Sequence, residues 1–357
     1  MLIGLILAAC SSIGPPSVPR DRIDYASAIG DSWKQQTLLN IVKLRYGDLP
    51  VFLDVQQVIA GYQFNSTATA GFNASSTQME NPAPSFMALG GSVLLQGSYR
   101  DSPTIIYTPS VGPSFLTRLM TPIPPSAIMF LLQAGYAADS VMALTLDSIN
   151  GIKNKSDRRI NAGRSVDPKF ARLGQLIREM QAAGALEIRI VQSKNAAETS
   201  VLLFKPREND AETESRRQEI AAILGLAPDA REITVYYGGS SGNNTEIAMQ
   251  TRSMLQIMVE LGFGIDLPAP DIREGRAWPS PEDNQAATGS ASMLHIASGN
   301  ARPSDAFISV PYHGRWFWIP DTEIASKYTF SFVMLLFSVS DKGAEGAAPV
   351  VTVPANN

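Results

Sequence analysis

The residues of this chain that could carry out chemistry are a serine set among glycines and two later histidines. Gly238-Gly239-Ser240-Ser241-Gly242 matches the G-x-S-x-G pattern of a nucleophile elbow, in which a serine stands on a sharp turn between a strand and a helix. Acids and histidines follow in the serine–acid–histidine order of a hydrolase: Asp266, Asp271, Asp305, His295 and His313. The pattern indicates acyl-transfer chemistry with Ser240 as the nucleophile.

Three observations weigh against that chemistry. Asn243–Thr245 separate Ser240 from the next predicted helix, whereas an elbow needs the helix to begin at the nucleophile so that its N–H groups face the oxyanion. No series of parallel strands precedes the serine, and among 27 glycines a chance match is expected. The loop also lacks the lysine of a phosphate-binding loop. We therefore predict a protein that is not an enzyme, without catalytic residues or cofactors, and keep serine hydrolysis as the least favoured alternative.

The histidines and the neighbouring tryptophans have structural explanations. His313-Gly314 separates the predicted strands 306–312 and 315–319 and is typical of a two-residue hairpin turn. His295 lies in an apolar stretch without a second ligand at metal-binding spacing, so no metal site is predicted. Trp316 and Trp318 fit the core of a strand; if they are exposed, they are candidate ligand-facing aromatics for a glycan or a peptide.

The N-terminus indicates where the protein resides. Leu7-Ala8-Ala9-Cys10 follows an apolar run and matches a bacterial lipobox, so we expect a signal peptide over residues 1–9, a lipidated Cys10 and a tether over residues 10–22. The alternative is a buried N-terminal strand with a free thiol, and the absence of Lys or Arg after Met1 leaves that alternative open. Ser11 and Ser12 resemble the outer-membrane sorting pattern. The predicted location is therefore the periplasmic face of a Gram-negative outer membrane, with the membrane as partner through the N-terminal lipid.

The composition predicts a globular protein. Hydrophobic residues make up 45% of the 357 positions and charged residues 17%, which is sufficient for a packed core. A net charge of −4 provides no basic field, so nucleic acid is not an expected partner. We predict one α+β domain over residues 23–340 and a disordered tail over residues 341–357.

Residues 58–107 are predicted to form a long β-hairpin, because apolar and polar residues alternate along both arms with the period of a strand. Two structures fit this alternation. One is an antiparallel sheet with one face packed on helices and one face in water. The other is a membrane-spanning hairpin, which needs about 9–11 residues per arm and which copies of the chain would combine into a shared barrel. The would-be lipid face of the hairpin is mostly Ala and Ser and contains few Leu and Val, which favours the sheet.

The other elements are assigned from hydrophobic periodicity and turn residues. Asp24 is the predicted N-cap of a helix over residues 24–46, and a strand over residues 51–55 follows. The helical middle part, residues 113–184, contains predicted helices over residues 113–120, 126–135, 139–149 and 167–184. The last of these begins with Asp167 as the predicted N-cap and ends at Gly184, and four of its residues are predicted to face inward: Phe170, Leu173, Ile177 and Met180. The C-terminal α+β part, residues 185–340, contains predicted strands over residues 187–191, 200–204 and 232–237 and helices over residues 212–224, 246–261 and 326–337. Ser326 is the predicted N-cap of the last helix, in which three residues are predicted to face inward: Phe330, Met334 and Phe337. The predicted fold class is α+β, an antiparallel sheet with a long β-hairpin packed against several helices.

Several segments resemble an uncharacterised family of Gram-negative outer-membrane lipoproteins. They are Leu38–Val55, Ser102–Pro109, Thr121–Pro125, Thr251–Ser253 and Trp316–Phe330, so the resemblance spans most of residues 25–340. It implies the envelope location and a single folded unit, and it implies no activity and no site residues. We predict a membrane-anchored, non-catalytic lipoprotein that acts as a binding or assembly component of the cell envelope, as a homo-oligomer or in an envelope complex. The alternative is an oligomeric outer-membrane pore or secretion component built from the hairpin.

Overall fold

The computed structural model of the chain confirms the α+β class. It describes residues 18–59, 62–75, 88–101, 104–110, 112–154, 166–191, 199–205, 210–277 and 293–340. The predicted signal peptide, Cys10 and the predicted tail over residues 341–357 lie outside the described residues.

The helices and strands of the described part alternate irregularly along the chain. The helices are α1 (Val18–Arg45), α2 (Pro113–Met120), α3 (Pro125–Gln133), α4 (Ala138–Thr145), α5 (Pro168–Ala182), α6 (Ala211–Leu224), α7 (Met254–Gly262), α8 (Ala269–Arg273) and α9 (Ile324–Ser340). The strands are β1 (Phe52–Ile59), β2 (Tyr62–Ser75), β3 (Ala88–Asp101), β4 (Thr104–Ser110), β5 (Leu146–Ile149), β6 (Ile152–Lys153), β7 (Leu186–Val191), β8 (Thr199–Phe204), β9 (Glu232–Tyr237), β10 (Glu246–Thr251), β11 (Ala297–Gly299), β12 (Ala306–Tyr312) and β13 (Arg315–Pro320).

The region predicted as one domain over residues 23–340 is divided into two compact units. The first comprises Met1–Gly30 and Phe52–Ser110, and the second comprises Asp31–Val51 and Val111–Asn357. The first unit therefore contains strands β1–β4, and the second contains all the other strands.

A six-stranded mixed sheet organises the second unit. Its strand order is β6-β5-β10-β9-β8-β7, and every neighbouring pair is antiparallel except β9 and β10, which are parallel. Helix α3 packs against β7, β8 and β9, while α4 packs on α5 and α5 on α6. The buried side chains of the inner strands form the core between sheet and helices: Leu202, Phe204, Ile233, Val235, Ile247 and Met249.

Helix α5 begins and ends where the sequence predicts. The Asp167 carboxylate accepts a hydrogen bond from the backbone N–H of Lys169, and Pro168 occupies the first turn. Gly184, with φ of 65°, follows the helix in the left-handed conformation that favours glycine. The predicted inward-facing residues are all buried: Phe170, Leu173, Ile177 and Met180.

The predicted helix over residues 246–261 is wrong in its first half. Residues 246–251 form β10, which lies between β5 and β9 in the sheet. Three consecutive side chains of β10 are buried, and so both of its faces are covered: Ile247, Ala248 and Met249. A short apolar run of this kind does not distinguish a buried strand from a buried helix. Helix α7 begins only after Ser253, whose side chain forms a capping box with Gln256. The helix predicted over residues 139–149 likewise ends at Thr145 and continues as β5.

Two predicted helix starts lie too far along the chain. Helix α1 begins at Val18, so Asp24 lies inside it and the last part of the predicted tether is helical. Helix α9 begins at Ile324, which places Ser326 in the first turn instead of at the N-cap. The fully buried residues of α9 are Phe330, Val333 and Leu336, in place of the predicted Met334 and Phe337.

A three-stranded antiparallel sheet, in the order β11-β13-β12, completes the second unit. His313 and Gly314 connect β12 to β13 with φ angles of 46° and 74°. Positive φ at both central residues defines a type I′ hairpin turn, which confirms the predicted role of His313.

Candidate assembly interface

The first unit contains a two-stranded antiparallel ribbon built from two successive ladders. The β1–β4 ladder runs from Phe52↔Ser110 to Ile59↔Thr104 and has one register shift, between Val55 and Gln57. The β2–β3 ladder then runs from Tyr62↔Asp101 to Ser75↔Ala88 without a shift. The last pair of the first ladder and the first pair of the second are three residues apart on each arm, Ile59 to Tyr62 and Asp101 to Thr104, so both ladders have the same register. The 14 residues of β2 alone extend about 46 Å at the usual rise of a strand.

The register places most of the apolar residues of β2 and β3 on one face of the ribbon, because directly opposed residues share a face; Leu94, opposite Thr69, lies on the other face. The opposed pairs on this face, which we call the apolar face, include Phe64↔Tyr99, Ala68↔Leu95, Ala70↔Val93, Phe72↔Gly91 and Ala74↔Leu89. The pairs on the polar face include Asn65↔Ser98, Thr67↔Gln96, Gly71↔Ser92 and Asn73↔Gly90. The β2–β3 ladder is therefore amphipathic from Phe64 to Ala74, except at the Ser66↔Gly97 pair on the apolar face.

Small and large residues are matched along the apolar face. The alanines of β2 stand opposite branched residues of β3, and Phe72 stands opposite Gly91. Alanine thus predominates only on the β2 half of this face. Leu89, Val93 and Leu95 supply the other half.

The β1–β4 ladder exposes apolar side chains in a single chain. Leu53 stands opposite Pro109 and Val55 opposite Tyr107, so these residues share one face. Leu53 is 46% exposed and Tyr107 is 56% exposed. Ile106, on the other face, is exposed as well. Large apolar side chains thus remain in contact with solvent on both faces of this ladder.

Both outer edges of the ribbon lack a strand partner within the described part of the chain. The β1–β4 and β2–β3 ladders are each two-stranded. The outward N–H and C=O groups of an unpaired edge strand are a template for pairing with another strand. The ribbon therefore has no third strand among the described residues, and most of its apolar residues lie on one face.

The serine loop has a setting different from the one predicted. Residues 238–245 connect β9 to β10, so Ser240 lies between two strands and the predicted strand-to-helix elbow is wrong. Because β9 and β10 are parallel neighbours, these eight residues must run from the end of β9 back to the opposite edge of the sheet, where β10 begins. The Tyr236 hydroxyl donates to the Ser240 carbonyl oxygen at 3.0 Å. The glycines, serines and asparagines are thus explained by a tight return loop.

His295 is held between two carboxylates. Its Nε2 lies 2.7 Å from Asp266 Oδ2, and its Nδ1 lies 2.5 Å from Glu323 Oε1. Burial lowers the pKa of His295, but the hydrogen bonds to Asp266 and Glu323 outweigh it, and the net pKa is raised. The Ser326 hydroxyl donates to Glu323 and accepts from the His295 backbone N–H, both at 3.0 Å. This group, which we call the histidine clamp, ties together three segments of the second unit.

The clamp replaces the serine–acid–histidine order suggested by the sequence. Asp266 does contact His295, as a triad acid would, but the second ring nitrogen bonds to Glu323. In the described residues, no hydrogen bond joins Ser240 to either histidine, and the ring of His313 packs beside those of Tyr46 and Tyr312. None of the described residues forms a group of three or more His, Cys, Asp or Glu side chains arranged so that it could hold a metal ion.

A second polar cluster, which the sequence analysis missed, surrounds Tyr46. Its hydroxyl donates to Asp271 Oδ2 at 2.7 Å, and Arg315 Nε lies 3.4 Å from the same oxygen. Burial and then the Asp271 hydrogen bond raise the pKa of Tyr46. Tyr312 donates to Asp48 in the same way. The cluster fastens the end of α1 to α8 and to the β12–β13 hairpin, which is a structural role.

Trp316 and Trp318 share one face of β13, whereas Phe317 and Ile319 on the other face are fully buried. Both tryptophans are half-buried. Trp318 stands opposite two small residues, Ala297 and Ser309. The Arg302 guanidinium lies 5.5 Å from the Trp316 ring centroid. The assignment of these side chains to a ligand site stays a prediction.

Comparisons with known proteins add no relative: no family model, curated protein or solved structure matches this chain. Within the described ranges, no helix has the length and apolar character needed to cross a membrane.

Proposed function

We propose that this protein is a lipid-anchored, non-catalytic assembly component of the Gram-negative cell envelope whose copies associate edge to edge through the β1–β4 and β2–β3 ribbon. The single observation that carries the proposal is the ribbon itself, which has no third strand among the described residues and has most of its apolar residues on one face. The lipid anchor at Cys10 comes from the lipobox. Lipidation would deliver every copy to the same membrane surface.

The energetics of a two-stranded ribbon support association. An isolated hairpin is marginally stable at best in water, and a third strand or a covering layer is normally needed. Leu53 and Tyr107 gain burial only if something covers this ladder. A second copy supplies a strand of matching length and pattern, because the outer edge of β2 in one chain meets the outer edge of β3 in the next. Such a head-to-tail contact repeats and closes into a ring where the rotation allows it.

A second candidate is a ring that inserts into the outer membrane as a shared barrel. The amphipathic register favours it, because β2 and β3 each have 14 residues and a membrane-spanning strand needs about 9–11. In that arrangement the apolar face would meet lipid and the polar face would line the interior. The first and second candidates share the edge-to-edge contact and differ only in what lies against the apolar face.

Matched lysine variants test the contact. The full chain, extracted in mild detergent, is expected to have a mass corresponding to several copies. Ala70→Lys places a charge on the apolar face, and we expect it to dissociate the oligomer or prevent its formation. Thr69→Lys is the matched control, because Thr69 is the adjacent residue, on the opposite face, and is exposed. A monomeric wild-type chain at micromolar concentration, or equal behaviour of the two variants, would refute the proposal.

The Cys10→Ala variant separates the two candidates, since it removes the predicted lipid. If copies associate only in the periplasm, this variant is an oligomer released into the soluble fraction. If the hairpin enters the membrane, the variant remains with the membrane after alkaline extraction. In that case Ala70→Lys at mid-bilayer costs about 2–4 kcal/mol per chain.

A further inference from the structure

Helix α9 carries large apolar side chains on two of its faces. One face packs into the core of the second unit, where Phe330, Val333 and Leu336 are fully buried. The other face remains in contact with solvent, and on it Ile324 is 62% exposed and Tyr328 is 72% exposed. A helix at the surface of a globular protein normally presents charged and polar side chains to water. The outward face of α9 therefore has the composition of a face that a partner covers.

Large and small residues alternate along the outward face of α9. They follow one another at intervals of four, three, four and three residues, which is the spacing of the a and d positions of a coiled coil. Four of these residues are exposed, and the fourth along the helix is partly exposed. We call them the outer row of α9: Ile324, Tyr328, Ser331, Leu335 and Ser338. Because large side chains pack best against small ones, a partner helix must present the same alternation in the opposite phase.

A second copy of α9 in the antiparallel orientation supplies the opposite phase. If the two-fold axis passes at the level of Val333, Tyr328 lies opposite Ser338 of the second copy, and Leu335 lies opposite Ser331 of the second copy. Each large side chain then meets a serine, and the two-fold symmetry repeats both pairs. A parallel pair would instead place tyrosine against tyrosine and serine against serine. The outer row is therefore self-complementary in the antiparallel orientation only.

The charges of α9 favour a second copy over a lipid surface. Lys327 is the only charged side chain from Ile324 to Ser340, and it lies outside the outer row, where its Nζ is 2.6 Å from Asp321 Oδ1. Two copies thus bring no like charges together when their outer rows meet. A helix that lies on a lipid surface is instead rich in Lys and Arg on its polar face. We propose that the outer row of α9 pairs with the outer row of a second copy of this chain, in the antiparallel orientation.

The length of the outer row indicates a weak contact. From Ile324 to Ser338 it extends about 21 Å, on a helix about 10 Å wide. Two such faces bury much less than the about 1,200–2,000 Å² of a stable interface, so we expect a dissociation constant of about 0.1 mM in solution. Copies that lipids hold on one membrane surface would meet at a higher effective concentration. The contact involves only the second unit and does not rest on the ribbon.

Sedimentation equilibrium from about 10 µM to about 1 mM measures the pairing. The full chain carries Cys10→Ala and Ala70→Lys, so that neither the predicted lipid nor the ribbon holds copies together. We expect monomers at the lowest concentration and mainly dimers at the highest. Ser331→Lys adds a charge at the centre of the outer row and should weaken pairing at least tenfold, while lysine, a good helix former, preserves α9. Ser240→Lys makes the same change at an exposed serine of the β9–β10 loop and is the matched control. Monomers throughout, or equal behaviour of the two lysine variants, would overturn the proposal.

Cysteine cross-linking tests the orientation, because Cys10 is the only cysteine of the chain and is absent from this background. Chains with Tyr328→Cys and chains with Ser338→Cys are mixed and oxidised. An antiparallel pair brings the two positions together, so a disulfide-linked dimer should form in the mixture and in neither variant alone. Cross-linking of Tyr328→Cys chains alone, or none in the mixture, contradicts the proposed pair. Flotation of the background variant with phosphatidylethanolamine–phosphatidylglycerol vesicles that Ser331→Lys abolishes, without cross-linking in the mixture, would show that lipid covers the outer row and would overturn the proposal as well.

Discussion

The histidine clamp predicts that the stability of the second unit falls as the pH rises through neutrality. The pKa of His295 is raised in the folded state above its ordinary value of 6.5. The charged ring donates to both Asp266 and Glu323, so its contribution is fully present below pH 6.5 and is lost as the pH rises through the folded-state pKa. The perturbation that isolates this contribution is His295→Gln, which removes the charge.

The magnitude follows from the two bonds and their exposure. Hydrogen bonds to charged groups contribute about 1.5–3 kcal/mol each. The His295 side chain is 38% exposed and the Asp266 side chain is 66% exposed, so solvent screening reduces the total to about 1–2 kcal/mol. For a unit of this size, that difference lowers the melting temperature by about 2–8 °C.

Thermal unfolding followed by circular dichroism between pH 5.5 and 8.5 measures the effect. The difference between wild type and His295→Gln should be largest at pH 5.5 and should shrink at higher pH. Elsewhere in the described residues, the shifted pKa values belong to carboxylates, arginines and tyrosines, which titrate outside this window. His313→Asn is the control, because Asn is preferred at this turn position and no carboxylate bonds to His313. A difference that stays constant or grows with pH would show that the clamp does not depend on a charged ring.

Two further predictions concern buried contacts of the second unit, and denaturant unfolding measures both. Glu214→Gln should lower the free energy of unfolding by about 2 kcal/mol, because the buried Arg217 guanidinium loses its charged partner. The Arg217 hydrogen bonds lower the pKa of Glu214 to about 2. The difference in stability between wild type and Glu214→Gln should therefore persist above pH 4.5 and vanish as the pH falls to about 2. Phe317→Ala should cost about 3–5 kcal/mol because the ring is fully buried against Tyr46, whereas the half-buried Trp316→Ala should cost clearly less; equal losses would contradict the assignment of the two faces of β13.

The sequence predicts those elements whose signals are local. The N-cap at Asp167 and the turn at His313-Gly314 depend on residues within a few positions of one another, and both are confirmed. Strand β10 could not be identified in this way, because its central position in the sheet depends on pairing with β5, which is distant in the chain. Without that information, its short apolar run fits a helix as well as a buried strand.

The histidine clamp could not be predicted from the sequence, for a related reason. Asp266, His295 and Glu323 are about 30 residues apart, and only the fold brings them together. Nothing in the residues around Glu323 marks it as a partner of a histidine. Unpaired polar atoms such as the Thr251 hydroxyl are likewise invisible in a sequence, because partnership depends on three-dimensional neighbours.

The ribbon is predicted from the sequence in part: its strands have local signals, but the composition of its faces does not. Alternation along each arm is local and predicts a hairpin correctly, but the composition of a face depends on which residues are opposed. Only the register shows that Ala68, Ala70 and Ala74 stand opposite Leu95, Val93 and Leu89. Opposed in this way, the apolar residues of both arms share one face, which is interrupted at the Ser66↔Gly97 pair. A ribbon with such a face, and with no third strand among the described residues, is stabilised by a further strand, and we propose that another copy of the same chain supplies it because that strand matches in length and pattern.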